Sequence, residues 1–471
     1  MTGYLTVALV VFEIIGVCLA FRAVSTARTP QGSVGWVVFL ISLPYIAVPA
    51  YLYLGHTRYA GFVTARPDSE RAIEELGHLR KPYGVELESD QHREARRGLA
   101  LEKLAEMPIV TGNGYHLLID GEATFEAIFE AIDQAEKYLL VAFYILRDDE
   151  LGCALKDRLI QRARDGLMVK VIYDAIGSTS LPKSYLRDLR EAGVDIRDFH
   201  AIRRPAHSFQ LNFRNHRKIV IADGRVGLVG GLNVGDEYMG KSAEFGPWRD
   251  THVRLHGPVV AQLQLVFAED WHWASGEVPH LNWHLHPVAD GVPGLIMPTG
   301  PGDSVETASL YFCNIMGAAR DRLWIASPYF VPDLDIMTAL KLAAMRGVDV
   351  RILMPDMKDH LLVWLAAFSY FDEMRETGVK FFRYREGFMH QKVFVVDDIG
   401  AAIGTHNLDI RLCRLNFEVS ALLFSKQATD DVAAMLEADF ERASLHTTAL
   451  CDMPFHIRQG APIARLFAPL L

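Results

Sequence analysis

The chain of 471 residues is long enough for more than one domain, and half of its residues are hydrophobic. Its formal net charge of −10 argues against a nucleic-acid-binding protein, because affinity for duplexes depends on neutralising phosphates. Its five cysteines are scattered and never spaced as Cys-x-x-Cys, so the sequence indicates neither a disulfide framework nor a cysteine-based metal site.

The hydrophobic excess is concentrated at the N-terminus. Tyr4–Phe21 is an 18-residue apolar run broken only by Glu13, and Val34–Leu54 is an uncharged run of 21 residues. Each run is long enough to cross a bilayer as a helix. A cleaved signal peptide fits the first run poorly, because no Lys or Arg precedes it and a second apolar run follows almost at once. We therefore expect a two-helix transmembrane hairpin in residues 1–58.

The basic residues around this hairpin carry a small orientation signal. Arg22 and Arg28 lie in the short loop, whereas Arg58, Arg66 and Arg71 follow the second run. This bias favours a catalytic portion on the cytoplasmic side of the membrane.

Beyond the hairpin, residues 59–112 predict a helical connector, since most of this stretch is rich in Glu, Arg, Leu and Ala. Strands and helices then alternate in two parallel halves, residues 113–285 and 286–471, which predicts an α/β sandwich in each. The first half predicts a helix, a strand, a helix and a strand at Phe125–Lys137, Tyr138–Leu146, Leu151–Arg164 and Gly166–Asp174. The second half predicts the same order at Ser309–Arg320, Leu323–Val331, Leu334–Met345 and Gly347–Pro355.

A segment rich in aromatic residues and histidine lies between the halves. Trp271, His272 and Trp273 are followed by His280 and His286, with Pro and Gly nearby. No carboxylate or thiolate at a suitable spacing accompanies them, so a metal site is not favoured. We expect either a packed interdomain loop or an aromatic rim near the bilayer.

One eight-residue motif occurs twice in the chain. His216–Asp223 and His390–Asp397 both read His-x-Lys-x-x-x-x-Asp, 174 positions apart, and Asn233 recurs as Asn407 at the same offset. A single His-x-Lys is commonly the edge of a surface strand. Two copies with matched downstream residues indicate an internal duplication.

The duplicated side chains suit one shared pocket. Residues two apart on a strand point to the same face, so the histidine and the lysine of each motif project together. If the halves face each other, two imidazoles, two ammonium groups and two amides surround one centre: His216, His390, Lys218, Lys392, Asn233 and Asn407.

That set matches the needs of a phosphodiester. Lysines and asparagines can hold the non-bridging oxygens through the transition state. One imidazole can attack phosphorus while the other protonates the leaving alkoxide and deprotonates the incoming hydroxyl. This chemistry requires no metal or other cofactor, and the sequence shows no convincing ligand set for one. Asp223 and Asp397 complete the motifs as candidate catalytic residues, although we expect them to serve as turn and scaffold residues.

The paired motifs resemble those of the phospholipase D superfamily, and the flanking sequence is similar, more narrowly, to bacterial cardiolipin synthases. The N-terminal hairpin resembles that group too. One departure is Thr405-His406, where small residues are expected. The supporting segments are Leu211–Lys218, Gly230–Tyr238, Trp248–His252, Ser327–Pro332, Gly404–Arg411 and Ala468–Leu471.

The resemblance implies two phospholipase D-like α/β sandwich domains related by a pseudo-twofold, with one active site at their interface. It also implies a covalent phosphohistidine intermediate, with His216 as the nucleophile and His390 as the general acid and base. Asp250 and Glu418 occupy the positions of the carboxylates that orient the imidazoles in the superfamily. A carboxylate on one ring nitrogen fixes the tautomer and makes the other nitrogen more nucleophilic.

The activity implied is that of a multi-pass cardiolipin synthase in the bacterial inner membrane. Such an enzyme transfers a phosphatidyl group from one phosphatidylglycerol to another and releases glycerol. Its expected partners are phosphatidylglycerol and cardiolipin in the bilayer, with no nucleic acid. A membrane-bound hydrolytic phospholipase D that releases phosphatidic acid shares these residues and stands as the alternative, whereas the acidic net charge and the hairpin disfavour a nuclease.

Overall fold

The computed structural model describes residues 2–26, 30–55, 99–200, 213–409 and 414–468. The predicted connector over residues 59–98 lies outside these ranges, as do the orientation signals at Arg28, Arg58, Arg66 and Arg71. The described end of the connector, Leu99–Ala105, is helical. The division of the chain at residues 58, 112 and 285 stays a prediction.

The described residues form a mixed α/β chain. The α-helices are α1 (Thr2–Thr26), α2 (Pro30–Ser42), α3 (Pro44–Leu54), α4 (Leu99–Ala105), α5 (Asp120–Gln134), α6 (Glu150–Arg164), α7 (Lys183–Glu191), α8 (Val259–Ser275), α9 (Thr307–Ala318), α10 (Leu334–Met345), α11 (Leu361–Arg375), α12 (Lys426–Glu441) and α13 (Phe455–Leu466). The strands are β1 (Val110–Ile119), β2 (Tyr138–Phe143), β3 (Met168–Tyr173), β4 (Asp195–Asp198), β5 (Arg214–Asn215), β6 (Ile219–Ala222), β7 (Val226–Gly230), β8 (Trp248–Arg249), β9 (Thr251–His256), β10 (Val292–Thr299), β11 (Arg322–Ala326), β12 (Phe330–Val331), β13 (Asp349–Pro355), β14 (Lys380–Tyr384), β15 (Phe388–Met389), β16 (Val393–Val396), β17 (Gly400–Gly404), β18 (Leu408–Asp409), β19 (Asn416–Leu423) and β20 (Ala443–Leu445).

The N-terminal hairpin is present, but its second arm is not the continuous helix that the sequence predicts. Within α1, Leu9–Thr26 is long and apolar enough to cross a membrane. The second arm breaks between α2 and α3, because Pro44 has no N–H to donate to Leu40. A Cβ on Gly16 would lie 2.8 Å from the carbonyl oxygen of Leu40, so glycine lets α1 approach the second arm closely.

The two halves share one sheet and repeat each other within it. In the first half the strand order is β1-β9-β7-β6-β2-β3-β4, and in the second it is β10-β19-β17-β16-β11-β13-β14, with β20 outermost. The halves meet where β1 pairs antiparallel with β10, and Val110 lies opposite Gly294. This matched order is the repeat expected of a pseudo-twofold, and the predicted class of two α/β sandwich domains is confirmed.

Each half is built around parallel strands with helices between them. Strands β2, β3 and β4 are parallel, as are β11, β13 and β14. The predicted helix at Leu334–Met345 coincides with α10. Strand β2 is buried on both faces, with Leu139 and Val141 in one apolar core and Leu140 and Ala142 in the other. This double burial is typical of a strand covered by helices on both sides.

The expectation that Trp271, His272 and Trp273 belong to a loop is wrong for these residues. They form the last turns of α8, which Gly276 ends in the left-handed conformation. Nearly all of α8 is buried, so apolar residues occur all round it and the helical period is hidden. Trp271 lies in the core, with the Lys170 ammonium 4.2 Å from its ring centroid.

Candidate active site

Each histidine motif begins where a short strand pairs with the opposite half. Strand β5 runs parallel to β19, and β15 runs parallel to β8. Directly after these pairs, the backbone N–H of His216 donates to the carbonyl oxygen of Phe417 at 3.0 Å, and that of His390 donates to the carbonyl oxygen of Arg249 at 2.8 Å. The register of each motif is therefore set by the other half of the chain.

The two carboxylates predicted to orient the imidazoles also reach across from the opposite half. Both carboxylate oxygens of Glu418 lie 3.1 Å from Nδ1 of His216. Oδ2 of Asp250 lies 3.0 Å from Nδ1 of His390. A Cβ on Gly231 would lie 2.0 Å from Oδ1 of Asp250, so only glycine leaves room for this carboxylate. A carboxylate beside Nδ1 holds the ring proton there and leaves Nε2 free to act as nucleophile or base.

The two motif lysines lie against their own histidines. Nζ of Lys218 donates to the carbonyl oxygen of His216 at 2.6 Å. Nζ of Lys392 lies 2.7 Å from Nδ1 and 3.1 Å from Nε2 of His390, and also donates to the carbonyl oxygen of that residue. Burial lowers the pKa of Lys218 to about 7 and that of Lys392 to about 8. Both ammonium groups are thus poorly solvated and suited to an anionic ligand.

Both imidazoles are neutral at pH 7. Burial lowers the pKa of His216 below its ordinary 6.5, although Glu418 opposes the shift. Burial lowers the pKa of His390 well below 6.5, and the positive charges of Lys392 and Lys218 lower it further. Because Lys392 also lowers the pKa of Lys218, the two motifs act on each other as one electrostatic site.

The two orienting carboxylates respond differently to complete burial. Burial would raise the pKa of Glu418, but attraction to His216 and Lys218 outweighs it, so the pKa falls below 4.5. Burial raises the pKa of Asp250 above 3.8, although Lys392 opposes the shift. Glu418 is therefore held ionised more firmly than Asp250.

The two asparagines predicted to bind phosphate have different surroundings. Oδ1 of Asn233 accepts from the Ile145 N–H at 3.1 Å, and its Nδ2 donates to the Tyr238 hydroxyl at 3.0 Å. Asn407 is equally buried, but neither polar atom of its amide has a hydrogen-bond partner among the described residues. A buried amide without a partner costs about 1–3 kcal/mol unless a ligand satisfies it. The geometry therefore favours Asn407 over Asn233 as a ligand for phosphate.

The motif aspartates bind backbone. Asp223 accepts hydrogen bonds from the N–H groups of Glu136, Lys137 and Tyr138 at 2.8, 2.7 and 2.9 Å. Asp397 accepts from residues 320, 321 and 322 at 2.9, 2.9 and 2.8 Å. Both residues have positive φ, 56° and 46°, in the turn after the motif strand. These contacts support the scaffold role rather than direct participation in the reaction.

Arg217, the residue between His216 and Lys218, belongs to a hydrogen-bond network that the sequence did not predict. Nη1 of Arg217 lies 2.6 Å from Oδ1 of Asp270 on α8. Its Nε donates to the carbonyl oxygen of Glu418 at 3.1 Å. Arg217 thus holds the backbone of the orienting carboxylate from the opposite half.

The second motif has no arginine between its histidine and its lysine, and an arginine of the first half takes that place. Its middle residue, Gln391, donates to Asp439 on α12 at 2.8 Å. Arg249 of the first half binds both carboxylate oxygens of Asp439, at 2.8 and 2.7 Å. Each motif therefore rests on a buried aspartate paired with an arginine. The duplication could not predict this arrangement, because Arg217 and Arg249 are not separated by the 174 positions that separate the two motifs.

Aromatic rings flank both histidines at the carboxyl ends of equivalent strands. The ring of Tyr144, after β2, lies 5.0 Å from that of His216. The ring of Tyr329, after β11, lies 6.5 Å from that of His390, and Trp248 lies 5.3 Å from it on another side. These residues were not predicted, although the ends of parallel strands are where site residues gather.

His406, which stands where the family resemblance predicts a small residue, is buried and connects two hydroxyl groups. Its Nε2 lies 2.9 Å from the Thr299 hydroxyl, and its Nδ1 lies 2.7 Å from the Ser420 hydroxyl. Burial lowers its pKa to about 4. Across the described ranges, no three His, Cys, Asp or Glu side chains are grouped so as to hold a metal ion.

Two repeated α/β halves, each contributing a His-x-Lys pair to a shared buried centre, define a phospholipase D-like protein. The sequence model of a family described as cardiolipin synthase, PLD-like domain, matches residues 128–271 and 312–443, more than half of the chain. The chain belongs to this family.

Relatives and a solved structure agree with this assignment. The whole chain is 44% identical to cardiolipin synthase A of Pseudomonas fluorescens, with 98% of that protein covered. It is 43% identical to cardiolipin synthase A of Pseudomonas aeruginosa, with 97% covered. A crystal structure of phosphatidylserine synthase from Haemophilus influenzae aligns with a TM-score of 0.59 over 81% of this chain and 100% of that one, at 14% identity. That last likeness concerns the fold.

Proposed function

We propose that the protein is a cardiolipin synthase that transfers a phosphatidyl group from one phosphatidylglycerol to a second and releases glycerol. The observation that carries the proposal is the crossed arrangement of His216 with Glu418 and His390 with Asp250, at 3.1 and 3.0 Å. It places two imidazoles beside Lys218 and Lys392 in one buried site, with Nδ1 of His216 held by Glu418 and its Nε2 left for attack, while Nε2 of His390 lies 3.1 Å from the Lys392 ammonium. The identity of 43–44% to proteins named cardiolipin synthase A supports the same activity.

In the first step, Nε2 of His216 attacks the phosphorus of one phosphatidylglycerol. The P–N bond forms as the P–O bond to the head-group glycerol breaks. His390 is neutral in the empty site, but the negative charge of the bound phosphodiester favours its protonated form, which gives its proton to the leaving alkoxide. Lys218, Lys392 and Asn407 hold the non-bridging oxygens, where charge increases in the transition state. Removing one such donor typically costs about 10²–10³ in rate.

In the second step, a terminal hydroxyl of a second phosphatidylglycerol enters where glycerol left. His390, now neutral, takes its proton, the oxygen bonds to phosphorus, and the P–N bond to His216 breaks. One phosphodiester has replaced another, so the reaction needs no nucleotide and no other cofactor. A buried site favours the lipid alcohol over water, which would otherwise yield phosphatidic acid.

The proposed location is the bacterial inner membrane. The apolar segment Leu9–Thr26 and the hairpin that contains it support membrane attachment. We infer a multi-pass chain whose catalytic halves, residues 113–285 and 286–471, lie in the cytoplasm. The lipid partners would then be phosphatidylglycerol and cardiolipin in the same bilayer.

Product analysis tests the proposal. Purified protein in vesicles is incubated with phosphatidylglycerol labelled in its head group, and the lipids and the aqueous phase are analysed by mass spectrometry. We expect one cardiolipin and one free glycerol for every two phosphatidylglycerols consumed. His216→Ala and His390→Ala should abolish both products, whereas His280→Ala, at an exposed histidine, should not. Phosphatidic acid without cardiolipin would instead establish the hydrolase.

A further inference from the structure

The C-terminal helix α13 is apolar on two opposite faces. One face packs on the second half, where Ile457, Ala461 and Ala464 are buried. Helix α11 lies beneath it, since a Cβ on Gly460 would lie 3.3 Å from a methyl group of Leu365. A surface helix that docks by one face is normally polar on the other, so the outer face of α13 needs a different explanation.

That outer face is mainly apolar, with the exposed Gln459 as a polar interruption near its middle. Phe455 and Leu466 are 72% and 79% exposed, and Pro462 between them is exposed too. Their spacings of seven and four residues place them on one line along the helix. Ile463 and Phe467 widen this stripe, at 57% and 45% exposed.

Basic side chains border the stripe along one edge. Arg458 and Arg465 are seven residues apart, so they lie on the same side of α13. The guanidinium of Arg458 lies 5.9 Å from the Phe455 ring centroid and is exposed. Arg465 turns toward α11, where its guanidinium lies 4.2 Å from the Tyr370 ring centroid and 3.6 Å from the Glu373 carboxylate. The chain as a whole has a net charge of −10, so this edge is a local exception. An apolar face edged by arginines is the pattern of a helix that lies in a lipid interface.

The apolar surface continues toward the active site. Leu361 and Leu362, the first residues of α11, are 53% and 48% exposed. The preceding residue, His360, lies 6.3 Å from Tyr329 between ring centroids, and Tyr329 lies 6.5 Å from His390. Exposed leucines therefore lie close to the site where the lipid phosphate is proposed to react.

We propose that the outer face of α13 and the start of α11 form a second membrane-contact surface, separate from the N-terminal hairpin. The occupant is the interfacial layer of a bilayer containing anionic lipid, with the apolar stripe among the acyl chains and the exposed Arg458 at the level of the phosphates. The hairpin already tethers the chain to a membrane, so this surface needs only modest affinity to hold the catalytic halves against it. This membrane contact is separate from the proposed reaction, and spin labels can detect it without any measurement of activity.

The test compares spin labels at two exposed apolar positions, one on the proposed membrane-contact surface and one away from it. Leu466→Cys and Met345→Cys are each made in the full chain with the native cysteines replaced by serine. Met345 is 70% exposed and ends α10, just before the amino end of β13, away from the active site. In vesicles of phosphatidylglycerol and phosphatidylethanolamine, the label at 466 should be relaxed by oxygen and shielded from a nickel chelate, whereas the label at 345 should show the reverse. Equal access of the nickel chelate to both would overturn the proposal.

Other occupants give different signatures. Dipolar broadening at 466 that grows with protein density would assign the face to a second copy of the chain, and the proposal would fail. Shielding that persists without any lipid or detergent would assign it to another segment of the same chain, with the same consequence.

Enzyme kinetics of variants that keep the native cysteines provide a second test. Unlike the spin-label test, it also rests on the proposed function. Phe455→Ser with Leu466→Ser should raise the apparent KM for phosphatidylglycerol in vesicles about fivefold or more, as expected for loss of an interfacial contact. The turnover of short-chain phosphatidylglycerol in solution should stay unchanged, and Met345→Ser should change neither value. Equal loss on both substrates would indicate damage to the fold and would contradict the proposed role.

Discussion

The backbone N–H of His216 donates a 3.0 Å hydrogen bond to the carbonyl oxygen of Phe417, across the boundary between the two halves. The side chain that follows Phe417 is Glu418, which pairs with the imidazole of the same histidine. His390 repeats both contacts with Arg249 and Asp250. One backbone register thus delivers both a histidine and its carboxylate, so each half completes the histidine–carboxylate pair of the other.

Neutralising an orienting carboxylate should slow the chemistry with little effect on binding. Glu418→Gln keeps the shape but removes the charge that fixes the proton on Nδ1 of His216. We expect kcat to fall by about 10²–10⁴-fold with KM nearly unchanged, and Asp250→Asn to behave alike. Glu437→Gln, at an exposed carboxylate on α12, is the matched control. Steady-state synthesis in vesicles measures the effect, and a kcat within threefold of the control would contradict the orienting role.

The pH profile of kcat/KM should be bell-shaped. The nucleophile must be neutral, and the pKa of His216 is lowered below 6.5, so the rate rises with pH below that value. The lysines must be charged, and burial lowers the pKa of Lys218 to about 7 and that of Lys392 to about 8, so the rate falls as pH passes through that range.

Replacing Lys218 tests whether loss of the lysine charge causes the fall in rate at higher pH, the falling limb of the profile. Arginine keeps its charge at any of these pH values, so Lys218→Arg should move the falling limb upward by about one pH unit, toward the pKa of Lys392. The rising limb, which reports His216, should stay where it is. A falling limb that does not move would show that Lys218 does not set it.

The two motif asparagines should separate binding from stability. Asn407→Ala should lower kcat/KM by about 10²-fold or more and leave the melting temperature unchanged or higher, because no hydrogen bond among the described residues is lost. Asn233→Ala should instead lower the free energy of unfolding by about 2 kcal/mol, since it removes the bonds to Ile145 and Tyr238. Kinetics and thermal unfolding of both variants measure this. Equal effects of the two substitutions on both quantities would contradict the asymmetry.

A motif aspartate should act on stability more than on rate. Asp397→Asn weakens three hydrogen bonds to backbone N–H groups, which should cost about 2–4 kcal/mol of unfolding free energy. Asp398→Asn, at the exposed neighbour in the same turn, is the control. Denaturant unfolding measures the loss, while activity per folded molecule should stay within a few-fold. Lost activity with intact stability would assign Asp397 a reactive role.

The local parts of the site could be predicted because they are encoded by neighbours in sequence. His216 and Lys218 are two residues apart, and the duplication marks their counterparts. The turns at Asp223 and Asp397 follow from residues that tolerate positive φ. Such features depend on short-range geometry, which the chain carries within a few residues.

The remaining parts depend on contacts between distant elements. The different roles of Asn233 and Asn407 arise because Ile145 and Tyr238 reach the first amide, and no pattern near either asparagine reveals this. Arg249 pairs with Asp439 from the other half, so its role appears only once the halves are packed. Helix α8 was missed for a related reason, since a helix buried all round has no apolar period.

Trapping the covalent intermediate tests the shared site most directly. The protein is mixed with phosphatidylglycerol labelled at phosphorus, quenched within one turnover under conditions that preserve phosphohistidine, and digested for peptide mapping. We expect at most one phosphatidyl group per chain, carried by His216, and its transfer to cardiolipin when excess unlabelled phosphatidylglycerol is added before the quench. Label on both His216 and His390 in one chain, or cardiolipin synthesis by His216→Ala, would contradict a single centre served by both halves.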